Sequence, residues 1–229
     1  MVSAPPCAIL PRHMESAMYI LHHTPDSAAL IVRLVLEELG LPYQIAAIDR
    51  AGGALDSPAY RKLHPLGKIP ALQTGDATLF ETAAILLHLS EITGQLAPAP
   101  NTPERGPFLT WLFFTSNNLH PVAMNYYYPE RLAGPENAAA VKAVAAAQLQ
   151  ALLATLENMV ALDAPDWLST KPSILGYYVA VLMRWLAEPC PATNYPFLHK
   201  ILLALEARPA AQACAQAEGL ALTLFSNPY

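Results

Sequence analysis

The sequence has few charged residues, few cysteines and no long apolar run. Charged residues make up 14% of the 229 residues, whereas hydrophobic residues make up 54%. A chain with this balance must bury apolar surface, which excludes extended disorder. No run approaches the ~18 uninterrupted apolar residues that a membrane span needs. The longest candidate, Ile174–Met183, is followed directly by Arg184. This stretch predicts a buried core helix, and we expect no membrane partner.

Basic residues and cysteines are scarce as well. The 13 Lys and Arg residues against 18 Asp and Glu residues give a formal net charge of −5. A nucleic-acid partner is not expected, because no basic stripe is present to neutralise phosphates. Cys7, Cys190 and Cys214 lie far apart and form neither a C-x-x-C pair nor a metal-binding spacing. We expect no metal and a reducing compartment. The residues before Pro11 lack the continuous apolar segment of a signal peptide, so the cytoplasm is the expected location.

The region that follows residue 17 has a strand–helix–strand pattern. Met18–His22 is a short apolar strand, and Ala28–Leu39 is an amphipathic helix that Gly40 ends. Tyr43–Ile48 is a second strand. Because the helix lies between the two strands, they are expected to be parallel.

A second group of elements follows in a strand–strand–helix pattern. Ile69–Gln73 and Thr78–Phe80 are short strands on either side of a tight turn at Gly75–Asp76, which predicts a hairpin. A helical piece at Pro58–Leu63 precedes them, and Glu81–Ile92 is a second long helix.

A proline-rich break separates these elements from the rest of the chain. Gly94–Gly106 holds Pro98, Pro100 and Pro103, and every later segment is helical in pattern. The sequence therefore predicts an N-terminal arm (1–17), an α/β domain (18–94), a linker (95–106) and an all-α domain (107–229).

Three short motifs are spread along the chain. They read HPLGKIPAL at 64–72, ETAAIL at 81–86, and YPFL with EARP within 195–209. Their order and separation resemble those of the cytosolic glutathione transferase family, and the resemblance covers about Met18 to Leu220. It implies a thioredoxin-like fold for the α/β domain, an all-helical second domain, glutathione as co-substrate and a homodimer. Hydrophobic residues make up 54% of this chain, whereas ~45–50% is usual for soluble domains, and this excess also favours a subunit interface.

The resemblance implies a glutathione site built mainly on the α/β domain. It implies a cis bond before Pro70 and backbone pairing of Ile69 with the cysteinyl part of glutathione. Free N–H groups at Thr82 attract a carboxylate, and Glu81 can hold an amine, so this helix start suits the γ-glutamyl group. The alternative is that both residues only cap the helix. Lys68 and Arg50 are candidates for the glycyl carboxylate, or else solvated surface charges.

The start of the first helix is the candidate site for thiol activation. Ser27 follows Pro25 with the spacing of serine-type family members, and a hydroxyl donor beside a helix N-terminus stabilises a thiolate. Lowering the pKa of the glutathione thiol by ~2 units requires the site to stabilise the thiolate over the thiol by ~2.7 kcal/mol. The alternative is that Ser27 or Thr24 is only the N-cap. The backbone N–H of Ala28 is a further candidate for holding the thiolate.

A finer resemblance concerns residues 118–121, which read NLHP. They are similar to the L-H-K segment of the bacterial beta class, in which the histidine faces the glutathione sulfur. This implies His120 as a catalytic residue and, more weakly, Asn117 in binding. The catalytic cysteine of that class falls at Ala28 here, so its mixed-disulfide chemistry is unavailable. His120 is alternatively a helix-end or interface histidine.

The predicted function is transfer of glutathione thiolate to a small hydrophobic electrophile. Tyr126, Tyr127 and Tyr128 are candidates for an electrophile pocket, although consecutive residues of a helix cannot all face one way. The alternatives are a glutathione-dependent reductase or lyase and a non-catalytic binding protein, because a fold alone does not choose among them.

Overall fold

The computed structural model describes residues 18–75 and 77–229, and its N-terminal part is a four-stranded sheet. The strands are β1 (Tyr19–His23), β2 (Tyr43–Ala47), β3 (Ala71–Gln73) and β4 (Thr78–Phe80). They lie in the order β2-β1-β3-β4, with β1 and β2 parallel and the other neighbours antiparallel. The predicted parallel pair and the predicted hairpin strands are confirmed. The predicted arm at 1–17 and Asp76 of the predicted turn lie outside the described residues.

Helices accompany the sheet and make up the rest of the described chain. With the sheet are α1 (Ala28–Leu39), α2 (Pro58–Arg61) and α3 (Thr82–Thr93). After the proline-rich segment come α4 (Arg105–Phe114), α5 (His120–Tyr127), α6 (Glu130–Ala133), α7 (Ala138–Asp163), α8 (Ile174–Trp185), α9 (Pro196–Glu206) and α10 (Pro209–Glu218). The architecture is a thioredoxin-like α/β portion followed by a helical portion, as predicted. Element ends differ from the predicted ones by a few residues, and α6 was not predicted.

Helix α8 is the centre of the helical portion. All 12 of its residues are buried, which confirms the core helix expected from the sequence. Its first turn is capped by Ser173, whose Oγ accepts from the Gly176 N–H at 2.8 Å and donates to the Trp167 carbonyl at 2.6 Å. A Cβ on Gly176 would lie 3.3 Å from the Leu205 side chain, so glycine lets α9 pack closely against the start of α8.

The long aromatic-rich helix predicted after the linker is continuous but not regular. Helix α4 passes into a π-helical turn at Thr115–Leu119, and α5 follows without a break. Single π-helical turns inside longer helices frequently occur at functional sites. This one immediately precedes His120.

Helix α7 is long, apolar and largely exposed. Within residues 135–163, an 18-residue window has a mean hydropathy of 1.5 and only 22% of it is buried. By length and composition alone this helix could cross a membrane. The sequence did not predict a span here, because polar residues interrupt the apolar run. Its buried residues, including Leu149, Leu153 and Leu156, line one side and leave the opposite side open.

Candidate functional site

The loop between β1 and α1 brings the candidate thiol-activating groups together. Ser27 is the N-cap of α1: its Oγ accepts from the Ala29 N–H at 3.3 Å and donates to the Thr24 carbonyl at 2.7 Å. A serine hydroxyl has one proton, and here the Thr24 carbonyl accepts it. In the unliganded protein Ser27 therefore caps α1, which is the alternative expected from the sequence, and its role toward a thiolate stays a prediction.

Two polar groups of the same loop remain without partners. The Thr24 Oγ1 is buried and forms no hydrogen bond within residues 18–75 and 77–229. The N–H of Ala28, the first residue of α1, also has no partner in that part of the chain. Buried polar groups without partners are uncommon in folded proteins and often mark a site where a ligand completes the hydrogen bonding.

Asp26 fastens this loop to the helical portion. Its carboxylate accepts from Nε and Nη2 of Arg184, each at 2.9 Å, and from Nε1 of Trp185 at 3.0 Å. Asp26 has a φ of 49°, a left-handed conformation that a non-glycine residue adopts at some cost. The two-pronged contact with a guanidinium whose side chain is only 2% exposed offsets that cost.

Glu218, the last residue of α10, holds the loop from a second direction. Its carboxylate accepts from the Asp26 N–H at 2.9 Å, contacts Nε2 of His23 at 2.7 Å and accepts from Nη1 of Arg33 at 3.3 Å. The Glu218 side chain is 1% exposed, so its charge depends on these partners. The loop that starts α1 is thus fixed by side chains from both α8 and α10.

The start of α3 has the features expected of a ligand site rather than of a simple cap. Glu81 precedes the helix with a φ of 70°, and its exposed side chain makes no capping hydrogen bond. Thr82 is buried beside the hydroxyl of Tyr178. The Ile69–Pro70 bond is cis, as the resemblance implied, and in the described residues neither the N–H nor the C=O of Ile69 has a hydrogen-bond partner.

His120 extends from the π-helical turn toward this helix start. Its Nδ1 lies 2.8 Å from the hydroxyl of Tyr178, and its ring is near that of Trp185, with 5.8 Å between centroids. Burial, together with the positive charge of Lys68, lowers the pKa of His120 to about 4. The imidazole is therefore neutral at physiological pH, and a base this weak is poorly suited to remove a proton from a thiol.

The remaining predicted site residues, Lys68, Arg50 and Asn117, differ in how close they lie to the candidate site. Lys68 is exposed but near enough to affect both His120 and His64. Arg50 is exposed in the turn after β2, and its side chain makes no hydrogen bond within the described residues. Asn117 is exposed on the π-helical turn and accepts a hydrogen bond from Ser116 at 3.0 Å. The charge of Lys68 thus acts on His120, whereas no hydrogen bond joins Arg50 or Asn117 to His120, Thr82 or the β1–α1 loop within the described residues.

The three consecutive tyrosines face different ways, as the helical period requires. Tyr126 is buried and donates to Glu188 at 2.6 Å, and Tyr128 stacks under Arg131. Tyr127 donates to the carbonyl of Trp185, which places it alone among the three on the side of the candidate site.

The comparisons with known proteins agree with this geometry. Residues 16–91 match the family model for the N-terminal domain of glutathione S-transferases. The chain also superposes on a sphingomonad glutathione S-transferase, solved in complex with glutathione, with a TM-score of 0.72 and 27% identity over 88% of this chain and 100% of that one. The chain therefore resembles glutathione S-transferases in the sequence of its N-terminal part and in its overall fold.

Two curated relatives each match somewhat less than half of this chain. Glutathione S-transferase 3 of fission yeast is 38% identical over 106 residues, which are 45% of this chain and 43% of the relative. The disulfide-bond oxidoreductase YfcG of Escherichia coli is 34% identical over 119 residues, which are 48% of this chain and 55% of the relative. The chain thus spans about half the length of the curated relatives it matches, so its activity and substrates are matters for proposal.

Sequence reasoning missed the contributions of Asp26, Arg184, Trp185 and Tyr178. The signal available was the presence of polar and aromatic side chains within an otherwise apolar helix, since such groups are buried only with partners. Nothing local to α8 names those partners, because Asp26 lies 158 residues before Arg184.

Arg184→Lys tests the fastening of the β1–α1 loop. Lysine keeps the charge but loses the two-pronged geometry, and a hydrogen bond to a charged group is worth about 1.5–3 kcal/mol. We expect the free energy of unfolding in urea to fall by that amount. Arg61→Lys is the control, because its ion pair with Asp56 is exposed and should be worth under ~1 kcal/mol. Equal losses in the two variants would contradict a special role for Arg184.

Proposed function

We propose that this chain binds glutathione and transfers its thiolate to a small hydrophobic electrophile. The observation that carries the proposal is the polar set left unused at the start of α3, where Glu81 has a left-handed backbone and makes no cap. Residues in such conformations cluster at binding and catalytic sites, where the surrounding structure holds them.

The γ-glutamyl group of glutathione has a partner for each of its charges there. The free N–H groups at the start of α3 and the Thr82 hydroxyl suit its carboxylate, and the Glu81 carboxylate suits its amine. The unpaired backbone of Ile69, next to Pro70, suits the amide of the cysteinyl part. Lys68 remains the candidate for the glycyl carboxylate.

Thiol activation is assigned to Thr24 and to the N–H of Ala28. The Thr24 hydroxyl has no hydrogen-bond partner in the described residues, whereas the Ser27 proton is donated to the Thr24 carbonyl. Because the Thr24 Oγ1 is buried, a bound thiolate reaches it only when the loop shifts. A hydroxyl donor and the positive end of α1 both stabilise a thiolate over a thiol. His120 contributes as a neutral donor close to the same loop.

The reaction then follows from the position of the thiolate. The sulfur lone pair attacks an electrophilic carbon, a sulfur–carbon bond forms, and the leaving group departs with its electron pair or the electrons shift onto a conjugated acceptor. Trp185 and Tyr127 give the site an aromatic side, which favours an apolar electrophile. Chemistry of this kind serves detoxification.

Disulfide reduction is the second candidate, favoured by the similarity to the oxidoreductase YfcG. There the glutathione thiolate attacks a disulfide sulfur, a mixed disulfide forms, and the other sulfur leaves as a thiolate; a second glutathione then releases the product and becomes oxidised glutathione. Parallel assays with an aromatic halide and with a mixed disulfide separate the two reactions. A glutathione-binding protein without catalysis would show neither activity.

The cytoplasm is the location that suits this co-substrate. Cys190 and Cys214 are free and buried, and free thiols are typical of reducing compartments.

A second copy of the chain is proposed as the partner of α7. Small apolar residues recur there every third or fourth position on the face opposite the buried one: Ala140, Val144, Ala147, Ala151 and Ala154. All are exposed, and small side chains allow another helix to approach closely.

Replacing Glu81 by Ala tests the γ-glutamyl assignment. Loss of a charge-assisted hydrogen bond, worth ~1.5–3 kcal/mol, should weaken glutathione binding roughly tenfold or more in calorimetry. Glu91→Ala, at the other end of α3 and paired with Arg105, should bind like the unmodified protein. Unchanged affinity in the Glu81 variant would remove the basis of the site.

Thr24→Val and Ser27→Ala, measured side by side, test which hydroxyl activates the thiol. Thr24→Val should raise the pKa of bound glutathione and lower kcat near neutral pH by ~10²-fold, because an anion stabiliser is lost. Ser27→Ala should lower the free energy of unfolding by ~1 kcal/mol, as loss of an N-cap does. Its pH–rate profile should keep its shape. The reverse pattern would return the catalytic role to Ser27.

Sedimentation at micromolar concentration tests the α7 interface. We expect a particle of twice the 24.7 kDa chain mass. Ala147→Glu should dissociate it, because a charge would be buried between the two helices. Gln148→Glu adds the same charge about 100° around the helix and should leave the dimer intact. A monomer in the unmodified protein would refute the interface.

A further inference from the structure

The buried hydroxyl of Tyr178 lies between the two halves of the candidate site. Tyr178 is 1% exposed, and its hydroxyl oxygen is 2.8 Å from Nδ1 of His120. The two rings meet edge to face at 89°, with 5.6 Å between centroids. Thr82, at the start of α3, lies close enough to influence the same hydroxyl.

The protonation of the two rings is set by their surroundings. Burial, reinforced by the negative charge of Glu81, raises the pKa of Tyr178, so its hydroxyl keeps its proton. The contact with Thr82 lowers that pKa, which is the effect of a donor on a phenol oxygen. His120 is neutral, so one of its ring nitrogens is an acceptor and the other a donor.

The hydrogen bond between Tyr178 and His120 then has one consistent direction. The one hydrogen-bond partner of the Tyr178 hydroxyl in the described residues is Nδ1 of His120, and because the phenol keeps its proton, the hydroxyl donates and Nδ1 accepts. The opposite nitrogen, Nε2, has no hydrogen-bond partner in the described part of the chain and is not among its buried unpartnered atoms. It is therefore the ring atom available to a ligand.

We propose that Tyr178 is a positioning residue: its hydroxyl donates to Nδ1 of His120, fixes the tautomer with the proton on Nε2, and so aims an N–H donor at the glutathione sulfur. The aim at the sulfur rests on the proposed function, whereas the tautomer rests on the contacts of the unliganded protein. No proton is transferred by His120; it supplies a hydrogen bond to the thiolate.

Tyr178→Phe removes the hydroxyl and leaves the ring packing in place. With Nδ1 unpaired, the imidazole loses its fixed orientation, and we expect kcat for conjugation to fall about tenfold with little change in KM for glutathione. The matched control is Tyr177→Phe. Tyr177 is the next residue of the same helix, equally buried, but its hydroxyl donates to Glu38 at 2.6 Å, away from His120. That variant should lose stability and keep kcat.

Nitrogen NMR of His120 provides a readout that does not depend on activity. In the unmodified protein we expect a protonated Nε2 and an unprotonated, hydrogen-bonded Nδ1, which have distinct ¹⁵N shifts. Tyr178→Phe should give shifts averaged between the two tautomers, and Tyr177→Phe should match the unmodified protein. A proton on Nδ1 in the unmodified protein, or an unchanged spectrum in Tyr178→Phe, would overturn the proposal.

The positioning role of Tyr178 and the proposed function can be disproved separately. If the unmodified protein conjugates glutathione and Tyr178→Phe keeps full kcat, the positioning role is wrong and the proposed function stands. If the unmodified protein neither binds nor conjugates glutathione, the proposed function and the aim at the sulfur both fail. The NMR spectrum still decides whether Tyr178 sets the tautomer.

Discussion

The buried guanidinium of Arg184 is the constraint on which the arrangement of the site depends. A charge this far from solvent must be paired, and its carboxylate comes from Asp26, on the loop that starts α1. The pairing holds that loop in a left-handed turn and gives the Asp26 carboxylate a third donor in Trp185. The third nitrogen of Arg184 donates to the Leu224 carbonyl, so one side chain ties the thiol loop and the segment after α10 to α8. Together with Glu218, which holds the same loop from α10, this pairing fixes the loop that starts α1 to the helical portion.

Helix α8 supplies both the core and much of the polar framework of the site. Tyr178 and Trp185 are separated by two helical turns and therefore share a face. That face meets His120 at both positions, through a hydrogen bond from the first residue and a ring contact from the second. A helix with every residue buried is rigid, because its side chains are close-packed on all sides. The groups it presents to a ligand are consequently held in place before the ligand arrives, which lowers the cost of binding.

The site combines features common to glutathione transferases with a local arrangement of its own. The cis peptide at Pro70 and the positive φ of Glu81 lie within residues 16–91, which match the family model for the N-terminal domain of glutathione S-transferases. In the loop that starts α1, the Ser27 oxygen caps the helix and its proton goes to the Thr24 carbonyl, whereas the Thr24 hydroxyl has no partner in the described residues. The fold is shared with glutathione transferases, and a fold does not by itself decide the chemistry.

The sequence by itself determined the order of the elements and most of their ends. Caps such as Gly40, the hairpin strands and the core helix at 174–185 act through neighbours within a few residues, so local patterns were sufficient to predict them. Motif resemblance supplied the cis Pro70 and the candidates Glu81 and Thr82. Only the tertiary structure decided that Ser27 caps, that Asp26 pairs with Arg184, and that Tyr178 reaches His120. These contacts join residues 58 and 158 positions apart, and no local pattern encodes a partner that distant. The Ser27 oxygen makes the cap, and its one proton goes to the Thr24 carbonyl, so the hydrogen bonding of this hydroxyl follows from the position of that carbonyl and not from residue identity.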